Sequence, residues 1–212
     1  LQDSTSSTSS VESSLEITSS SNVTFTDSGQ SLGTSHSKGV SLGDVDDDGD
    51  LDAFVANANQ PNKVWGNDGS GNFTDSGQVL GSSNSYVDLG DVDSDGDLDA
   101  FVANYSSQPS KVWLNDGSGS FTNSGQSLGS SPSPDALLGD LDGDGDLDAF
   151  VTNRDNQPNK GRINDGSGNF TEGQSLGASY YLDVEIGEVD DDGDLDHFEA
   201  HVGQVTKVWF TE

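Results

Sequence analysis

The chain has 212 residues, room for one mid-sized domain or two very small ones, and carries 7 Lys+Arg against 38 Asp+Glu, a formal charge of -31. That excess excludes general affinity for nucleic acid or an anionic membrane, and no apolar run approaches the ~20 residues of a membrane span. Cysteine is absent and only 29% of residues are hydrophobic, so neither disulfides nor a large apolar core hold the fold unaided.

Residues 1–21 form the first segment. Thirteen of the 21 are Ser or Thr, a composition typical of flexible linkers and O-glycosylated stalks. Val11, Leu15 and Ile17 nevertheless share one parity, as in a strand that lays one face on a partner. The expectation is an extension that docks on a neighbouring copy of the chain. Position 1 is Leu, with no basic-then-apolar leader behind it, which is the pattern of a processed, mature protein.

Residues 22–212 are repetitive. Four copies of one unit begin at Phe25, Phe73, Phe121 and Phe170, with lengths of 48, 48, 49 and 43 residues. The first copy reads as four strands: VSLGDV, LDAFVAN, KVWGN and then FTDSGQSL at the start of the next copy. Short apolar runs bounded by Gly, Asn, Asp and Pro fit strands rather than helices. QPNK supplies a proline-containing turn and NDGSGN a hairpin. Four strands every 48 residues or so predict propeller blades, so the expected fold is an all-β, four-bladed β-propeller. The ends are offset: Phe25 opens a unit that lacks its preceding turn, and KVWF stops where that turn would begin. Pairing of the Phe25 segment with KVWF is therefore expected to complete the fourth blade and close the ring, hiding strand edges.

The most specific pattern is D-x-D-x-D-G-x-x-D, once per unit. The first loop places Asp44, Asp46, Asp48, Asp50 and Asp52 at alternate positions. The second has Asp91, Asp93, Asp95, Asp97 and Asp99, and the third Asp140, Asp142, Asp144, Asp146 and Asp148. The fourth has Glu188, Asp190, Asp192, Asp194 and Asp196. The four loops hold 22 of the chain's 38 acidic residues, strong self-repulsion unless a cation is bound. Calcium takes 6–8 hard oxygen ligands at about 2.3–2.6 Å, and alternate carboxylates converge when the chain wraps round the ion, positions 1, 3, 5 and 9 giving side-chain oxygens and position 7 its backbone carbonyl. Position 6 is always Gly (Gly49, Gly96, Gly145, Gly193) and position 8 always Leu, the latter expected to anchor the loop in the core. An EF-hand is excluded, because position 12 of the first loop is Val55 and strands flank the loop. About four calcium ions, one per repeat, are expected.

The unit LGDVDDDGDLDAFVAN…QPNKVWGNDGSGNFT resembles the FG-GAP/VCBS-type repeat of integrin α-subunit propellers and many secreted bacterial proteins. The resemblance runs from Phe25 to Glu212. It implies a β-propeller with one calcium ion in a hairpin loop of each blade. The literal Phe-Gly and Gly-Ala-Pro pieces are absent, and the family commonly builds seven blades rather than four.

Signals for catalysis are lacking: there is no G-x-S-x-G, H-E-x-x-H or phosphate-binding glycine loop, and the dense carboxylates are claimed by metal. The second strand of the fourth unit reads DHFEAH where the others read DAFVAN or DAFVTN, so His197, Glu199 and His201 share one face. That face is read as a polar contact between blades or subunits, with a transition-metal site as the alternative. Trp65, Trp113 and Trp209 are equivalent and read as blade core. Lys63, Lys111, Lys160 and Lys207 are expected to pair with acidic groups. N-x-S/T acceptors for glycosylation stand at Asn22, Asn72, Asn104 and Asn169. The expected function is non-catalytic: an extracellular, calcium-stabilised subunit of a cell surface, structural or adhesive, whose partners are copies of itself and assemble as a fibre or tube. The alternatives are a lectin-like glycan-binding module and a secreted hydrolase fragment.

Overall fold

The computed structural model describes residues 23–81, 85–106, 108–178, 181–201 and 205–211. The expected docking of residues 1–21 lies outside them, as does Asn22. The described residues form fifteen strands in four antiparallel sheets and contain no helix.

The first sheet runs in order β1 (Ser37–Gly43), β2 (Asp52–Asn57), β3 (Lys63–Asn67) and β4 (Phe73–Asp75). The second repeats it with β5 (Ser85–Gly90), β6 (Asp99–Asn104), β7 (Lys111–Asn115) and β8 (Phe121–Asn123). The third contains β9 (Asp135–Gly139), β10 (Asp148–Thr152), β11 (Pro158–Asn164) and β12 (Phe170–Ala178). The fourth has three strands, β13 (Tyr181–Gly187), β14 (Asp196–His201) and β15 (Lys207–Trp209). These are the blades of a four-bladed β-propeller. β1 packs on β5, β5 on β9 and β9 on β13.

The core lies between blades rather than inside one sheet. Phe54, Val45 and Val64 of the first blade cluster with Ala100, Val102 and Phe121 of the second. The second and third blades repeat this with Phe101 and Phe170. The phenylalanine that opens the outer strand of the second and of the third blade turns inward and meets the preceding blade edge-on, Phe121 on Phe54 and Phe170 on Phe101, each with ring centroids 5.4 Å apart.

A second contact locks the inner strands. A Cβ built on Gly43 would lie 2.6 Å from Leu98 Cδ1, on Gly90 2.7 Å from Leu147 Cδ1, and on Gly139 2.5 Å from Ile186 Cδ1. Glycine ends these strands because side chains of the following blade occupy the space. The leucine at loop position 8 therefore anchors on the preceding blade. Leu51 has no blade before it and is 57% exposed, so for that residue the expectation of a core anchor fails.

Ring closure by strand pairing is not formed among the described residues. Phe25 belongs to no strand and is 94% exposed, and β15 is the outer edge of its sheet. No elements of the first and fourth blades pack to an extent comparable with β1 on β5. The Phe25 segment is instead tied to its own first blade: Gln30 Nε2 donates to Gly71 O at 2.7 Å and Phe73 N donates to Gln30 Oε1 at 2.8 Å.

Candidate metal centres

Each acidic loop joins the first and second strands of a blade. The carboxylate at position 1 accepts the N–H of the position-6 glycine, at 2.9 Å for Asp44 and Gly49, 3.1 Å for Asp91 and Gly96, and 3.0 Å for Asp140 and Gly145. Those glycines, with Gly193, have φ of 92–101°, a region that a side chain would strain. Position 5 accepts the N–H of position 7, as between Asp95 and Asp97 at 3.0 Å. Position 4 is also left-handed (Asp47, Ser94, Gly143, Asp191), which explains why only Asp, Ser and Gly stand there.

Position 9 is buried in all four loops and holds the loop to the blade. Asp99 accepts Val92 N at 3.0 Å through one oxygen and Asn115 N at 2.8 Å through the other. Asp52, Asp148 and Asp196 do the same with Val45 and Asn67, Leu141 and Asn164, and Val189 and Thr211. Neighbouring blades are stitched at this level, since Asn115 donates to Val45 O at 2.8 Å and Asn164 to Val92 O at 2.7 Å.

Three carboxylates converge in each loop, one oxygen of each within 4.8 Å of the others: Asp44, Asp46 and Asp48; Asp91, Asp93 and Asp99; Asp140, Asp142 and Asp148; Glu188, Asp190 and Asp196. These four clusters, one per blade, suit a divalent metal. The position-7 side chains are not in the clusters. Asp50, Asp97 and Asp146 lean on Gly69, Gly117 and Gly166 of the NDG hairpins, so closely that a Cβ there would lie 2.2, 2.6 and 2.3 Å from a carboxylate oxygen. Asp95, Asp144 and Asp192 at position 5 are likewise outside the three-residue groups.

The electrostatics are those of crowded anions. Burial, reinforced by neighbouring carboxylates, raises Asp46, Asp93, Asp148 and Asp190, and pushes Asp99 up to about 6. Glu188 differs. Burial works upward on it, but N–H donation from Gly193, Asp190 and Asp191 outweighs this and lowers its pKa. The longer side chain thus fits the fourth loop as an acceptor.

Other predicted residues fall in varied places. Glu199 is buried, accepting Asn159 Nδ2 of the third blade at 2.6 Å and Trp209 Nε1 at 2.9 Å. It is an interblade polar contact. His197 lies tilted against Phe150, with centroids 4.4 Å apart, and stacks on Trp209 at 5.9 Å; the side chain of His201 lies outside the described ones. The tryptophans are half-buried, with Trp113 under Gly81 and the buried Arg162 in the corresponding place of the third blade. Two of the four lysines pair with acids, Lys63 with Asp75 at 3.0 Å and Lys160 with Glu172. Asn123 stands where those acids would be, so Lys111 bonds Gln126 O and Ser127 Oγ, and Lys207 lies over Trp209. Asn72 and Asn169 are exposed at hairpins, whereas Asn104 is buried and donates to Pro109 O at 2.6 Å.

The glutamine of FTDSGQ is a further structural residue of the repeat. Gln78 donates to Gly119 O at 2.7 Å and accepts Phe121 N at 2.8 Å, and Gln126 treats Gly168 and Phe170 alike. Each glutamine thereby fixes the outer strand of the next blade. Its recurrence in every copy was the available signal.

A β-propeller with an acidic loop on every blade defines the class. The FG-GAP-like repeat matches residues 44–102 and 91–151, and the chain belongs to that family. Among solved structures, it is similar to a lectin of Agrocybe aegerita, described as specifically recognising non-reducing terminal N-acetylglucosamine. The identity is 20% and the TM-score 0.53, covering 74% of this chain and 45% of the lectin. It is also similar to the V. cholerae biofilm matrix protein Bap1, at 17% identity and a TM-score of 0.42, covering 76% of this chain and 23% of that one. The chain thus spans less than half the length of either structure. No curated protein matches it.

Proposed function

We propose that the protein is a non-catalytic, extracellular β-propeller, stabilised by about four calcium ions, that serves as a structural or adhesive subunit of a cell surface and associates with copies of itself. The observation that supports the calcium part of this reading is the convergence of three carboxylates in every blade loop. The donors are all hard oxygens, the chemistry calcium prefers over softer metals, and extracellular modules bind it at about 10⁻⁴–10⁻³ M. Four such ions would cancel eight of the 31 excess negative charges. Asp44, Asp91, Asp140 and Glu188 would be ligands together with position 3 and, in three loops, position 9.

Light scattering in calcium and then in excess EGTA tests it. The expected result is particles much larger than the 22.0 kDa chain that shrink or unfold on chelation. Identical size and fold in both conditions would overturn the calcium reading. A second reading is favoured by the likeness to the Agrocybe aegerita lectin: a glycan-binding module. It predicts glycan-array binding by the monomer.

A further inference from the structure

The inner-strand contact, side chains of one blade over the terminal glycine of the blade before it, recurs at all three junctions, and each half of it is left unmet at the two ends of the described chain. On the first blade, Leu42 is 58% and Leu51 57% exposed. Their counterparts Leu89 and Leu98 cover Gly43, and Leu138 and Leu147 cover Gly90. On the fourth blade, Gly187 is the counterpart of Gly43, Gly90 and Gly139, and a Cβ built on it would meet nothing within 4 Å. Phe198 corresponds to Phe54 and Phe101, which pack against the outer-strand phenylalanine of the following blade. Among the described residues no such ring lies against Phe198, which is 48% exposed.

The outer strand is unmet as well. A cavity of about 200 Å³ lies between the third and fourth blades, lined among others by Leu141, Phe150, Ile163, Leu176 and Leu195. These positions answer to the ones that surround Phe121 between the first two blades, where Val45, Phe54 and Leu80 hold its ring. An apolar cavity of roughly 150 Å³ already admits benzene, so a phenyl ring fits beside His197, which fills part of the space. Gln174, the fourth copy of the glutamine that fixes an outer-strand phenylalanine, also lines this cavity. The segment of this sequence with the matching FTDSGQ pattern and no blade of its own to complete is Phe25–Gln30.

We infer that the fourth blade of one molecule docks on the first blade of a second copy of this chain. Phe25 of the second copy enters the Phe150–Leu176 cavity, Leu42 and Leu51 cover Gly187, and Phe73 packs on Phe198. The occupant is a second copy because no first-blade strand packs extensively on the fourth blade within the described chain, while Gln30 holds the Phe25 segment against the first blade and leaves Phe25 94% exposed. The interface continues the intrachain blade-to-blade contact, with the first-blade patch of one copy meeting the fourth-blade patch of the next. Such a head-to-tail contact yields closed rings or open filaments. It rests on the self-association proposed above and gives it a surface.

Gly187→Val is the cleanest test, because the added side chain has open space within one chain but would strike Leu42 and Leu51 of the docked copy. It should leave the unfolding temperature and calcium binding unchanged and abolish association in sedimentation velocity. Phe25→Ala, equally exposed in the single chain, should weaken association about 100-fold, as for deletion of other buried phenyl rings. Because the chain has no cysteine, mixing Phe25→Cys with Leu195→Cys chains should give a disulfide-linked dimer under oxidation. Assembly that survives both substitutions without a cross-link refutes this interface and spares the self-association reading. A chain that remains monomeric in calcium refutes that reading itself. A cross-link confined to single chains carrying both cysteines refutes the second copy as occupant.

Discussion

Asp99→Ala, read in the absence of metal, measures what position 9 contributes to the fold apart from its place in the carboxylate cluster. Asp99 is fully buried, and its two oxygens accept Val92 N at 3.0 Å and Asn115 N at 2.8 Å. Removing the carboxylate leaves two buried N–H groups without a partner, each costing about 1–3 kcal/mol, so the loss should be about 2–6 kcal/mol. Relief of the burial cost that pushes Asp99 up to about 6 places the result at pH 7 toward the lower end. Asp97→Ala in the same loop removes a half-exposed group that leans on Gly117 and accepts none of these buried donors. It should leave calcium-free stability unchanged. Urea unfolding of both variants in EGTA at pH 7 decides the matter. If Asp99→Ala unfolds at the parent midpoint, position 9 is not the tie between loop and blade, and the reasoning is wrong.

Three further outcomes follow. Gly117→Ala places a Cβ 2.6 Å from Asp97 Oδ2 at φ +73. It should cost about 1–2 kcal/mol in thermal unfolding, more than a change at an open glycine. Gln78→Ala removes the bonds to Gly119 O and Phe121 N and should cost about 1–2 kcal/mol, with faster hydrogen exchange at Phe121. Because Asp99 has a folded pKa of about 6 and Asp46, Asp93, Asp148 and Asp190 are raised too, the metal-free fold binds more protons than the unfolded chain. Its stability should therefore fall as pH rises from about 4 to about 6, and calcium should suppress that fall. Melting temperatures across this range, with and without calcium, check the sign.

The blades were legible because their signals are local. Alternation in DAFVAN, glycine in NDGSGN and the spacing of DVDDDGDLD each fix a short piece of backbone. The repeat then multiplied every signal by four. What stayed hidden depends on the neighbouring blade. Position 9 is readable as a ligand, but its second role is not: Asp52 and its counterparts also turn both oxygens to backbone N–H groups that the one-dimensional pattern does not bring near. Position 7 offers its backbone carbonyl to a metal in the one-dimensional pattern, but where its side chain goes was not legible: Asp97 packs on Gly117, 20 residues away in sequence. Gly43 and Leu98 make a similar pair across blades: neither is informative alone, and only their packing explains both. Ring closure was inferred from matching ends, and matching ends do not specify which molecule supplies each.

Calcium stoichiometry by isothermal titration of calcium-free protein at pH 7 tests the central claim most directly. The account predicts about four ions per chain, one for each carboxylate cluster. Asp93→Asn should lower the count by one and leave the other sites filled. Absence of binding at millimolar calcium, or a count unchanged by Asp93→Asn, would contradict it.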